Sequence, residues 1–244
     1  MKLTYNNIQK EAEDFSKQYR RKHKIPSLPT VKEVQKYRNL LYKKFSPVVD
    51  LIKERVSKVD PVGGHGFEHL GDVATRSGYI AEKECDHLKI TGKDRELIVE
   101  SAVLAGALHD IERHLGFGED HMIEGEKTTR WILDKAGLKY DVVALVVRNH
   151  DHIDFDPGNN KTLTIVFAAV FDADHLRYGL EREDTFWRMK EKGGKSVAEV
   201  IHDYQYLPQW RNVWRTKYGK TVGPKIIDFG LAIAKHIEEF FSTN

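Results

Sequence analysis

An all-α fold is predicted for this chain of 244 residues, on three observations. In several separate windows apolar side chains recur three or four residues apart, the repeat that lines one face of a helix. Two stretches, Ser101–Asp110 and Thr162–His175, are apolar almost throughout, as buried helices are. Three of the predicted helices carry His or Asp at one end, where a helical bundle can present polar groups without stranding them in its core.

Residues 1–58 read as a basic helical extension. Lys17-Gln18-Tyr19-Arg20-Arg21-Lys22-His23-Lys24 precedes a break between Pro26 and Pro29. One helix is expected from about Val31 through Leu40, Leu41 and Phe45, and another after Pro47 through Val48, Leu51, Ile52 and Val56. Residues 59–180 form the predicted core. There Gly63-Gly64-His65-Gly66-Phe67-Glu68-His69 leads into Leu70, Val73, Ala74, Ser77, Ile80 and Ala81, so His69 starts a helix on or near its buried face. His121 opens a helix through Met122, Gly125, Ile132 and Leu133 to a stop at Gly137. Val142, Val143, Leu145, Val146 and Val147 form another, closed by His150. Leu163, Ile165, Val166, Ala169, Val170 and Ala173 form a third, which finishes in Asp172-Ala173-Asp174. Residues 181–244 are expected to pack on this core as a C-terminal helical segment. They open with a loop signal at Lys192-Gly193-Gly194-Lys195. Trp187, Tyr204, Tyr206, Trp210 and Trp214, with Arg211 and Arg215, suit either core packing or the stacking of a base beside phosphates. A closing helix is expected from Pro224 through Ile226, Ile227, Phe229, Leu231, Ile233, Ile237 and Phe240.

Composition narrows the class. With 40% hydrophobic residues the chain can bury a sizeable core, as one domain or a domain with an extension. It has no run of about 18 apolar residues, so no membrane span is expected. The start lacks a secretory signal, and the single cysteine, Cys85, allows no internal disulfide, which together suit the cytoplasm. Cys85 reads as a packed or half-exposed thiol. Residues 1–58 carry 15 Lys or Arg against 6 Asp or Glu, while the remainder is net acidic. The basic arm could bind nucleic acid or an acidic partner, but such a run is more often a solvated helix face.

The His109-Asp110 doublet ends an apolar helix. An imidazole and a carboxylate are costly there unless partnered, and a divalent cation satisfies both. Taken alone, such a doublet more often reflects Asp110 capping the next turn and His109 bonding a backbone carbonyl. His69 at one helix start, and Asp172 and Asp174 at another helix end, make convergence on one ion the stronger reading.

Together, His69, His109-Asp110 and Asp174 resemble the pattern of the HD-domain metal-dependent phosphohydrolases: a His, a His-Asp doublet and a distant Asp on a helix. The resemblance spans about residues 60 to 180. It implies an HD-domain-like helical bundle with a metal site between helices, ligated by His69 rather than His65, by His109 and Asp110, and by Asp174. Asp172 then lies behind the ligands or caps a helix. It also implies that His121 and His150 bind a second metal or a phosphate, with surface caps as the alternative; His152 is expected to face solvent. Glu112 and Arg113 fall in the turn after the doublet, where family members carry groups that touch substrate or the attacking water. With Asp110 they are the catalytic candidates. Their order departs from members with an acid three residues past the doublet. Arg148 and Arg177 are the remaining candidates for substrate binding, against a reading as solvated helix arginines.

Imidazole and carboxylate suit Mn, Fe, Co, Ni or Zn, as one ion or two, and nothing in the set selects Cu(I) or an iron–sulfur cluster. The expected activity is hydrolysis of a phosphoester in a small molecule, a nucleotide foremost, by a metal-activated water. Arginine would balance charge developing on the phosphoryl oxygens. Two alternatives remain open at this stage. One is an HD-type di-iron oxygenase, which needs all six ligands; the other is a regulatory module that binds a nucleotide or RNA without turning it over.

Overall fold

The computed structural model describes residues 5–26, 29–57, 66–116, 118–176 and 204–243. Among them no β-strand occurs and nine α-helices carry the fold, so the chain is all-α. No helix among the described residues is long and apolar enough to cross a membrane. They form two compact units, one drawn from Pro29–Asp174 with Arg215–Tyr218, the other from Met1–Leu28, His175–Trp214 and Gly219–Asn244.

The first unit begins with α2 (Val31–Asn39), started by a capping box in which Thr30 and Glu33 satisfy each other's backbone N–H groups. A single helix was expected to run on to Phe45. Instead Leu40–Lys44 widens into a π-helical turn, and the Phe45 N–H reaches the Leu40 carbonyl. The cause lies in the next residues: Pro47 has no N–H and must sit at the start of a helix, so the chain breaks and restarts as α3 (Ser46–Val56). The wide turn keeps Leu41 and Phe45 fully buried.

α4 (Phe67–His87) and α5 (Gly92–Leu108) form the centre of this unit. Every residue of α5 from Ser101 onward is buried, as an unbroken apolar run requires. The two helices cross closely because small residues meet: a Cβ on Gly106 would lie 2.8 Å from Ala74 Cα, and one on Gly78 would lie 2.6 Å from a Val103 methyl. α6 (Glu119–Lys135) ends where Gly137 takes φ +67°, a conformation costly for other residues. The Leu138 N–H then closes on the Leu133 carbonyl. α7 (Asp141–Asn149) packs on α5 and α6, and α8 (Lys161–His175) follows. Cys85 is buried.

The second unit holds α1 (Tyr5–His23), a 3₁₀ segment (Tyr204–Asn212) and most of α9 (Lys217–Thr243). The Phe15 and His236 rings stack at 4.0 Å, and His236 pairs with Glu11. Arg20 lies over the Phe229 ring. The residues Arg21, Lys22, His23 and Lys24 are solvent-exposed. Trp214 is buried, with its ring against Gly223 and its indole N–H donating to the Arg211 carbonyl. Packing therefore accounts for Trp214, although Trp210 and Trp214 do not share one regular helix. α9 also starts seven residues before Pro224. Its lead-in is capped within the first unit by Asp172, whose carboxylate accepts from the Arg215 and Thr216 N–H groups and the Thr216 hydroxyl. His65, Arg177, Trp187 and the Lys192–Lys195 loop lie outside the described residues, as do the side chains of Tyr204 and Tyr206.

Candidate metal centre

Five helix ends bring polar side chains to one buried place in the first unit. His69 is the third residue of α4, and His109-Asp110 immediately follows the last residue of α5. His121 is the third residue of α6, His150 follows α7, and Asp174 lies in the last turn of α8. All six are buried.

His69 Nε2 and His109 Nε2 are 3.2 Å apart. An Asp110 Oδ2 lies 3.7 and 3.4 Å from these two nitrogens, and an Asp174 Oδ1 lies 3.5 and 3.6 Å from them. Donors about 2.1 Å from a shared ion sit about 3.0 to 3.4 Å apart in octahedral or tetrahedral arrangements. The observed spacings need only a slight contraction to hold a cation.

Tautomers follow from the backbone. His109 Nδ1 donates to the Gly106 carbonyl at 2.9 Å, His150 Nδ1 to the Val147 carbonyl at 2.8 Å, and His121 Nδ1 to the Gly118 carbonyl. Each carbonyl lies three residues back, so the helix or turn itself aims the lone pair on Nε2 into the cluster. Thus the backbone-bonded His109 of the structural alternative and the ligand His109 are one arrangement.

The electrostatics ask for positive charge. Burial pushes the His109 imidazole down, but the Asp110 and Asp174 carboxylates outweigh it and raise it to about 10. A proton on His109 answers that demand.

Asp110 faces two ways. While Oδ2 turns to His69 and His109, Oδ1 lies 3.2 Å from His150 Nε2 and 3.8 Å from His121 Nε2. Asp110, His121 and His150 therefore form a second group with the spacing for an ion. Arg113, buried on the 3₁₀ turn after the doublet, points into it: Nη1 is 2.8 Å from His121 Nε2 and 3.5 Å from Asp110 Oδ1. Asp151 completes this side, 3.1 Å from Arg113 Nη1 and 3.7 Å from His150 Nε2. Burial favours the neutral Asp151 carboxyl, yet His150 and Arg113 hold it below the usual carboxylate range. Burial, followed by His150 and Arg113, pushes the His121 imidazole down and keeps it a neutral acceptor.

Asp151 escaped the sequence reading, although a signal was there: His150-Asp151 closes α7 as His109-Asp110 closes α5. Glu112 is not gathered into the cluster. Its buried carboxylate takes a bidentate ion pair from Arg55 of α3, at 2.6 and 2.8 Å, and a hydrogen bond from Thr128 of α6. It ties the turn after the doublet to two neighbouring helices. Arg148 is half-buried and His152 is partly exposed beside Glu119. Asp172 is the cap described above; burial raises its carboxyl to about 6 despite the hydrogen bonds it accepts from Thr216 and Arg215.

Comparison with models of known families, with curated proteins and with solved structures found no match for this chain.

Proposed function

We propose that this chain is a metal-dependent phosphohydrolase of the HD type, acting on a phosphorylated small molecule, a nucleotide foremost. The observation that carries the reading is the buried meeting of His69, His109, Asp110 and Asp174, with three further imidazole and carboxylate groups beside it. His69 and His109 would supply nitrogen donors, and Asp110 and Asp174 hard oxygen donors, a set that suits Mn, Fe, Co, Ni or Zn. A divalent ion bound there lowers the pKa of a coordinated water toward neutrality and polarises a phosphoryl oxygen.

The chain's own residues prepare the rest. Carbonyl-locked imidazoles keep their lone pairs aimed without reorganisation. Arg113 fixes a permanent positive charge beside Asp110, where charge developing on phosphoryl oxygens would be neutralised. Glu112, through Arg55 and Thr128, holds the turn that carries Arg113.

The test is phosphate or nucleoside release from a panel of nucleotides and phosphodiesters in the presence of Mn²⁺. Asp110→Ala is expected to lose both bound metal and turnover. Turnover surviving in that variant without metal would overturn the proposal. The second donor group, Asp110, His121 and His150, favours an HD-type di-iron oxygenase as the other reading. Product that forms only in air marks the oxygenase; product that forms equally under nitrogen marks the hydrolase.

A further inference from the structure

We infer that Arg113 is the built-in cation of the second donor group, so that the chain loads one divalent ion and holds a latent second site that opens when Arg113 is removed. The inference rests on the proposed function only in that the His69, His109, Asp110 and Asp174 group binds the first ion.

The argument begins with one lone pair. His121 Nδ1 is committed to the Gly118 carbonyl, which leaves Nε2 a single acceptor site. Arg113 Nη1 donates to it at 2.8 Å. A metal about 2.1 Å from Nε2 along the same direction would lie within about 1 Å of that guanidinium nitrogen, so the two cannot coexist. The same nitrogen is 3.1 Å from Asp151 Oδ2 and 3.5 Å from Asp110 Oδ1, the two carboxylates that a second ion would draw on. Arg113 therefore meets three of the four donors that surround this place; the fourth, His150 Nε2, turns to Asp110 Oδ1.

The guanidinium also suits the charge. It is held covalently by the chain and cannot be exchanged, unlike a bound ion. Its side chain is only 9% exposed, and it leaves a short turn whose next-door residue, Glu112, is anchored to α3 and α6. Swinging Arg113 aside would leave the Asp110 Oδ1 and Asp151 carboxylates without the guanidinium that lies between them, which burial makes unfavourable.

Metal per chain decides the question. The intact protein is stripped, reloaded with excess Mn²⁺, desalted and analysed for metal, with the Mn²⁺ electron paramagnetic resonance spectrum read in parallel. One ion per chain with an uncoupled spectrum is expected for wild type. Arg113→Ala is expected to carry two ions, seen as a spin-coupled pair, and Arg113→Ala with His121→Ala to return to one. Arg113→Lys, which keeps the charge, is expected to stay at one and covers the case in which Arg113→Ala fails to fold. Two ions in wild type, two in Arg113→Lys, or one in a folded Arg113→Ala would overturn the inference. No ion in wild type would instead overturn the metal reading on which it stands.

Discussion

His109 shows how one residue joins local structure to chemistry. Its Nδ1 is tied to a carbonyl of its own helix end, and its Nε2 faces two carboxylates, so its pKa rises to about 10 in the folded chain against an ordinary 6.5. A raised folded pKa means that the protonated form stabilises the metal-free fold fully below pH 6.5, and that this contribution is lost as pH climbs through about 10. A metal must displace this proton. Metal binding near pH 8 is therefore expected to release about one proton from His109, with apparent affinity rising up to about tenfold per pH unit until pH 10. Calorimetric titration in buffers of different ionisation enthalpy measures it, and binding with no proton release would contradict this picture of the site. At this scale the sequence was most informative where chemistry and apolar context conflicted, as at His69, His109, Asp110 and Asp174. It was least informative where direction matters. Glu112 and Arg113 are adjacent, yet one turns to Arg55 and Thr128 and the other to His121 and Asp151. No spacing rule distinguishes them, because they sit on an irregular turn rather than a helix face.

Elements set the distances between these residues. His69 belongs to α4 and His109 follows α5, and the closeness of that helix pair depends on Gly106, whose missing side chain lets Ala74 and Ser77 approach. Gly106→Ala would place a Cβ 2.8 Å from backbone, which cannot be relieved by rotating a side chain. The expected cost is about 1 to 3 kcal/mol of unfolding free energy, read from denaturant curves, with weaker metal binding as His69 is pushed from His109. An unchanged midpoint and unchanged metal affinity would show that the crossing does not set the site. The helices themselves were legible from apolar periodicity and from stops such as Gly137. The π turn at Leu40–Lys44 was not, since its cause is the demand of Pro47 for a fresh helix start combined with the burial of Leu41 and Phe45. The early start of α9 was equally hidden: Asp172, 43 and 44 residues away in sequence, caps Arg215 and Thr216, and local pattern carries no record of such a partner.

In the molecule as a whole, the first unit gathers helix ends from α4, α5, α6, α7 and α8 so that one carboxylate, Asp110, faces both donor groups. Burying that much charge and imidazole is unfavourable without positive charge nearby; Arg113 supplies it on one side, and the His69, His109 and Asp110 group has the spacing to hold a cation on the other. Asp174, contributed by α8 alone, is the most distant of the four ligands in sequence, so it tests the convergence best. Cobalt(II) titrated into the metal-stripped full chain, followed by its visible ligand-field bands, is the most direct measurement. The account predicts a saturable endpoint at one equivalent in wild type and none in folded Asp174→Ala or His69→Ala. A wild-type chain without an endpoint, or variants that keep the wild-type endpoint and spectrum, would contradict it.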